Sequence, residues 1–276
     1  MQIIQTIPDL RAALEGRPDA TLVPTMGNLH DGHLSLLGIA RGLGGPVVAS
    51  IFVNPLQFAP HEDFAKYPRT LERDVELLAG SGCDMVFSPS AAEMYPETQE
   101  FKGLPPAGLA DILEGIVRPG FFTGVCTVVL KLFNIVQPRA AVFGKKDYQQ
   151  LRVVERMVRQ FALPVQIVAA ATVRDASGLA LSSRNGYLDA AQRVEAAQLY
   201  AALRTAAGQL RGGSSDWGRI EQLAADSLTA RGWRPDYVAI RRRSDLGPPA
   251  ATAPLVILGA ATLGNARLID NLEVEP

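Results

Sequence analysis

Two imidazoles stand three positions apart in His30-Asp31-Gly32-His33, where an apolar strand gives way to a helical pattern. The strand reads Thr21-Leu22-Val23 and the turn Pro24-Thr25-Met26-Gly27-Asn28-Leu29. The helix is expected to begin near His33, carrying Leu34, Leu36, Leu37 and Ile39. Rings at such a turn can face a bound triphosphate, because the backbone N–H groups of a helix N-terminus already favour negative charge. Two blander readings stay open: a pair of zinc ligands, or a polar turn with no chemistry. Zinc would need partners, and the chain offers only His61 as a third histidine and the widely separated Cys83 and Cys126.

The elements that must position these rings alternate in an α/β pattern. Short apolar runs at Thr21–Val23, Val47–Val53, Asp84–Phe87, Ala141–Phe143 and Val165–Ala169 read as strands. Helical patterns at about 33–42, 69–80, 123–136 and 147–161 separate them, which predicts a parallel sheet with crossover helices. Beyond about residue 175 the order changes. Asp189 with Gln192 reads as a helix cap, and Gly212-Gly213 breaks that helix. A second helix is expected over Trp217–Arg231, followed by strands at Asp236–Arg241, Leu255–Gly259 and Ala266–Asp270. The expected organisation is a Rossmann-like parallel sheet over 1–174 and a smaller α+β domain over 175–276.

Bulk properties exclude several classes. Apolar residues make up 47% of the 276 and charged residues 20%, a globular balance. A net charge of −1 gives no electrostatic case for nucleic acid or an anionic membrane. Two cysteines do not make a secreted disulfide framework, and no apolar run spans a bilayer. Met1–Thr6 has no signal-peptide character, so a cytoplasmic location is expected.

In a doubly wound sheet, ligands bind beyond the carboxyl ends of the strands. Four polar segments follow expected strands directly: the histidine turn; Asn54-Pro55-Leu56-Gln57-Phe58; Gly144-Lys145-Lys146-Asp147 with Gln149 and Gln150; and Val173-Arg174-Asp175 with Leu181-Ser182-Ser183-Arg184-Asn185. Singly each has a plain reading, as a turn, a capped helix start or a polar loop. Together the hydroxyls, the Arg fork and the Lys point charge are the donors that a triphosphate needs.

These segments resemble the pantoate–β-alanine ligase family, within the nucleotidyltransferase superfamily, over nearly the whole chain. The likeness runs through Pro24-Thr25-Met26-Gly27, His30-Asp31-Gly32-His33, Ile51–Phe58, Tyr67-Pro68-Arg69-Thr70 and Arg118-Pro119-Gly120. It continues through Lys131–Val136, Phe143–Gln150 and Leu181–Asn185. The resemblance implies a nucleotidyltransferase-type sheet with a C-terminal lid, and a ligation in which pantoate attacks the α-phosphorus of ATP before β-alanine attacks the adenylate. It implies catalytic roles for His30, His33, Lys146 and Arg184. It places ATP against Met26, Gly27, Asn28, Leu29, His30, Asp31, Gly32 and His33, against Gly144, Lys145, Lys146 and Asp147, and against Val173, Leu181, Ser182, Ser183 and Arg184. Pantoate falls to Gln57 and Gln150, with Gln57 also near β-alanine. The resemblance further implies Mg²⁺ bridging the phosphates and a homodimer. Asp74, on the polar side of the 69–80 helix, is a candidate for metal or β-alanine contact, and equally a solvated helical carboxylate. The apolar stretch Val125–Val136 could serve an interface as well as a core.

The chain departs from the family at three positions. Phe121 stands for the usual His after Arg118-Pro119-Gly120, so no role of that imidazole carries over. Ser177 replaces a frequent Asp, and Asp31 the usual Glu. Two other functions share the histidine site: an adenylyltransferase that leaves AMP on its product, and a non-catalytic nucleotide sensor. Gln57 and Gln150 weigh against the first, and the joint donor set of Lys146, His33 and Arg184 against the second.

Overall fold

A computed structural model describes residues 1–59 and 63–275, so His61 lies outside the described residues. The chain divides into two compact units: Met1–Lys145 with Val153–Ala171, and Lys146–Arg152 with the chain from Thr172 on.

The first unit begins with β1 (Gln2–Ile4), α1 (Ile7–Leu14), β2 (Thr21–Thr25), α2 (Asp31–Gly42), β3 (Val47–Ile51), α3 (Leu71–Gly80) and β4 (Met85–Phe87). Three short helices follow, α4 (Ala91–Met94), α5 (Ala107–Ala110) and α6 (Glu114–Val117). Then come α7 (Phe121–Val136), β5 (Ala140–Gly144), α8 (Tyr148–Gln160), which is divided between the units, and β6 (Gln166–Ala170). The strands form one sheet in the order β1-β4-β3-β2-β5-β6. Every pairing in it is parallel. From β2 the chain winds outward on one side through β3 and β4, and on the other through β5 and β6. The order therefore reverses at the β2–β5 junction, the place where such sheets bind ligands.

The strands expected in this unit are all present, with ends shifted by a residue or two. All five residues of β3 are buried, as a two-sided parallel strand requires. The pattern of the sequence did not mark β1 or α1. β1 is three residues long, and α1 buries only Leu10, so neither carries a readable period. The Val125–Val136 stretch is a core element within the chain: Val125, Val129, Leu132, Phe133 and Val136 are all at most 5% exposed. That burial leaves the interface reading of this stretch without support.

The second unit continues with α9 (Ala190–Arg211), α10 (Trp217–Thr229), β7 (Arg234–Arg242), β8 (Leu255–Leu263) and β9 (Ala266–Val274). Its three strands form an antiparallel sheet in that order. The expected cap at Asp189 is a full capping box. Asp189 Oδ1 accepts from Gln192 N at 2.8 Å, and Gln192 Oε1 accepts from Asp189 N at 3.1 Å. Leu199 and Leu203 of α9 and Ile220 and Leu228 of α10 bury against Ile240 and Ile257 of the sheet. Each such side chain contributes about 1.5–3 kcal/mol of transfer free energy.

Candidate active site

The histidine turn is shaped by a carboxylate far away in sequence. Asp74, in α3, is fully buried, and accepts from Asn28 N and Leu29 N, both at 2.8 Å. Thr70 Oγ1 adds a third bond at 3.1 Å. The turn takes left-handed backbone at Gly27 (φ +81°) and Asn28 (φ +50°), which glycine and asparagine accommodate at least cost. A Cβ at Gly27 would also stand 3.0 Å from Asp74 Oδ2. The solvated reading of Asp74 is thus overturned: its oxygens face backbone donors in the core, and it anchors the turn that carries Met26, Gly27, Asn28 and Leu29.

Helix α2 starts at Asp31, two residues before the expected start at His33, because His30 serves as its N-cap. His30 Nδ1 accepts from Gly32 N at 3.2 Å. A backbone N–H can only donate, so the lone pair of Nδ1 is committed and the ring proton sits on Nε2. The His33 ring lies 4.1 Å from it, centroid to centroid. Both imidazoles are half-buried at the carboxyl end of β2, while Asp31 is exposed. A capping imidazole that points N–H outward from a helix N-terminus suits a phosphate oxygen. Gly144 and Lys145 leave the neighbouring β5 on the other side of the strand reversal.

The Asn54-Pro55 segment is no plain turn. Asn54 is 1% exposed and caps the 3₁₀ turn Pro55–Gln57 by accepting from Leu56 N. Its Nδ2 donates to Gly124 O and to Gln57 Oε1, each at 3.1 Å, and its Oδ1 accepts from the Tyr95 hydroxyl at 2.8 Å. Gln57 itself is 9% exposed and directs Nε2 at Met26 Sδ, 3.1 Å away. Arg118 donates to the Gln57 backbone carbonyl at 3.2 Å, and its guanidinium lies 3.8 Å from the centroid of the Phe121 ring. At the position where the family has an imidazole, this chain therefore places an aromatic face that stacks on Arg118. Tyr95 was not singled out from sequence, because no local pattern marks it; Arg118 entered only within the Arg118-Pro119-Gly120 segment, with no role assigned.

Gly124 explains how α7 comes so near to this turn. A Cβ there would meet Leu56 O at 2.2 Å and Gln57 Cα at 2.7 Å, both backbone. Gly124→Ala is expected to push the turn away, to cost about 1–3 kcal/mol and to weaken any ligand held by Gln57. Thermal unfolding and ligand titration of the variant check both effects; unchanged affinity would contradict the close-contact argument.

Lys145–Asp147 form a 3₁₀ turn leading into α8, and Lys146 and Asp147 begin the second unit's share of the chain. The Lys146 carbonyl accepts from Asn271 Nδ2 at 2.9 Å, which ties this donor's backbone to β9. Gln149 is buried and Gln150 half-buried on the first turn of α8. A short hairpin carries the remaining donors: Leu181 N donates to Val173 O at 3.0 Å, and Arg174 bridges to Ala180. Ser182 caps the 3₁₀ turn Ser183–Tyr187, accepting from Arg184 N at 3.3 Å. Val173, Leu181, Ser182, Ser183 and Arg184 are all half-buried. Ser177, in place of the family's Asp, donates to Asp175, as side chain and as backbone, at the tip of the same hairpin.

Among the described residues no group of three or more His, Cys, Asp and Glu side chains is placed to hold a metal. No helix among them is long and apolar enough to cross a membrane.

Comparison with known proteins agrees with this geometry. The profile of pantoate-beta-alanine ligase matches residues 2–273. A pantothenate synthetase of Leptothrix cholodnii is 61% identical over 285 aligned positions, covering 99% of this chain and 100% of that protein. The crystal structure of pantothenate synthetase from Thermus thermophilus superposes with a TM-score of 0.94 at 47% identity, covering both chains fully. The pantoate-beta-alanine ligase of Francisella tularensis, solved as a complex with beta-gamma ATP and beta-alanine, matches with a TM-score of 0.84 at 33% identity, covering 99% of this chain and 97% of that one. The chain belongs to the pantoate-beta-alanine ligase family.

Proposed function

We propose that this protein condenses pantoate with β-alanine at the expense of ATP, giving pantothenate, AMP and pyrophosphate. Family membership supports the reaction class, and the capped histidine turn is the observation that carries the chemistry. A pantoate carboxylate oxygen attacks the α-phosphorus, and the bond to the bridging oxygen of pyrophosphate breaks. The β-alanine amine then attacks the acyl carbon of the pantoyl adenylate, loses a proton, and displaces AMP.

The first step spreads negative charge over the α-phosphoryl oxygens and the departing pyrophosphate. His30, through its Nε2–H, and His33 donate to those oxygens, with the backbone from Met26 to Gly32 cradling the nucleotide. Lys146 and Arg184 supply fixed positive charge, and Ser182 and Ser183 supply hydroxyl donors, on the segment where Gly144, Lys145, Asp147, Val173 and Leu181 also line the nucleotide. Gln57 and Gln150 hold pantoate. Acyl adenylates hydrolyse readily, which gives the C-terminal α+β domain (175–276 in the sequence reading) a purpose as a lid that excludes water.

Mg²⁺ enters this reading with its substrate. Asp74 is committed to the Asn28 and Leu29 amides, and apart from the carboxylates of Asp31 and Asp147 the groups assigned here are cationic or neutral and suit phosphate rather than a metal. The ion would arrive with the phosphates of ATP and would supply charge neutralisation there. A cytoplasmic homodimer completes the assignment.

The test is pyrophosphate release from ATP. With pantoate alone a single turnover is expected, and with β-alanine added, continuous release accompanied by free AMP. No pyrophosphate in the presence of pantoate overturns the proposal. Release with AMP left on the product, whatever the β-alanine, points to an adenylyltransferase instead.

A further inference from the structure

Gln57 is presented to its ligand in one polarity, and two backbone groups decide which. Asn54 lies between Gln57 and those groups. One end of its amide meets Leu56 N at 3.3 Å and the Tyr95 hydroxyl at 2.8 Å; the other meets Gly124 O and Gln57, each at 3.1 Å. A backbone N–H only donates and a backbone carbonyl only accepts. Leu56 therefore identifies the oxygen of Asn54, and Gly124 identifies its nitrogen. The Gln57 atom that faces this nitrogen must be an acceptor, so it is Oε1. Nε2 is then the outward end, and among the described residues it meets only the sulfur of Met26, a weak acceptor.

The shorter of the two bonds to Asn54 Oδ1 comes from Tyr95. Burial raises the pKa of this phenol above its ordinary value, so the hydroxyl stays protonated and available as a donor. The ring is fixed by Phe52, with centroids 5.9 Å apart, and by the Lys131 ammonium 5.0 Å from its centroid.

We infer that Tyr95 is a positioning residue: it holds in place the Asn54 amide whose polarity the two backbone groups set, and so steadies Gln57 as a hydrogen-bond donor to an oxygen of the hydroxy-acid substrate. The inference rests on the assignment of Gln57 to pantoate made above. Its consequence for specificity is direct: the pocket accepts a carboxylate or hydroxyl oxygen at Nε2 and disfavours a ligand that presents only a donor there.

Tyr95→Phe keeps the ring and removes the donor, leaving Asn54 Oδ1 with the longer Leu56 bond. The KM for pantoate is expected to rise about five- to tenfold, with the KM for ATP and the melting temperature nearly unchanged. A rise below about threefold, or an equal rise for ATP, overturns the positioning role. Gln57→Glu supplies the second arm. It can still accept from Asn54, but it replaces the outward donor with a carboxylate oxygen. The KM for pantoate should rise about fiftyfold or more while ATP binding persists. Pantoate KM within about threefold of wild type would show that the donor polarity is wrong. Wild-type pyrophosphate release separates the two levels: its absence sinks the pantoate assignment, while its presence with an unaltered Tyr95→Phe sinks this inference alone.

Discussion

Asp74→Asn is expected to lower both the stability of the first unit and its affinity for ATP. The native carboxylate accepts from Asn28 N on one oxygen and from Leu29 N on the other, in a site with no exposure. Asparagine has the same shape but only one acceptor end. Its NH2 must face one of the two backbone N–H groups, donor against donor. Hydrogen bonds to a charged group contribute about 1.5–3 kcal/mol each, and an unsatisfied buried donor costs about 1–3 kcal/mol. A total of about 2–4 kcal/mol is expected, a fall in melting temperature on the order of 10 °C. The turn that loosens carries Gly27 and Asn28 in left-handed backbone just before the His30 cap. ATP affinity should therefore fall about tenfold or more, which is a loss of about 1.4 kcal/mol in binding. Calorimetric titration with ATP, paired with thermal unfolding, measures both. An Asp74→Asn protein that melts with the wild type and binds ATP equally well would show that the turn does not depend on this carboxylate.

Asp74 also shows where reading the chain by pattern stops. Its i−3, i+3 and i+4 neighbours in α3 are Leu71, Leu77 and Leu78, so spacing sets it beside the apolar stripe, and only its charge places it on the polar side. The structure turns it inward because two amides, separated from it by 45 and 46 residues, need an acceptor. Local periodicity reports which face of a helix is apolar, and cannot report which polar residue is captured by a distant backbone. The same limit hides Tyr95, whose partner Asn54 is 41 residues away. What was legible is what local physics determines. β3 is an apolar run broken only by Ser50, α9 opens on a capping box, and Gly212-Gly213 ends it. The order of polar segments after each strand likewise follows from the rule that parallel sheets collect ligands at their carboxyl ends. His30 lies between these cases. The motif proposes a phosphate-facing role for it, but its duty as an N-cap, and hence the orientation of its proton, needed the backbone of α2.

In the second unit the largest effect is expected from Arg174→Ala. The Arg174 guanidinium grips Asp270 with two parallel bonds, at 2.6 and 2.8 Å, and the two side chains are only 17% and 4% exposed. It also donates to Gly178 O and Asn271 O and stacks 3.5 Å from the centroid of the Tyr200 ring. Alanine removes the whole cation and leaves the Asp270 carboxylate in the interior with the Asn271 amide. Breaking a buried pair from one side costs about 3–5 kcal/mol, because the remaining charge keeps its desolvation penalty. The double change Arg174→Leu with Asp270→Leu should therefore be less damaging than Arg174→Ala alone, although it removes more native bonds. Arg174→Lys should recover only part of the loss, since an ammonium is a point charge without the planar fork. The functional consequence follows from position. Arg174 pins the Val173–Leu181 hairpin to β9, and Ser182, Ser183 and Arg184 continue directly from that hairpin. Slackening the hairpin should weaken ATP binding even at temperatures where the unit stays folded. Thermal unfolding of the three variants, with ATP titration well below each transition, tests the account. A double variant less stable than Arg174→Ala would show that the pair itself, rather than the stranded carboxylate, carries the energy.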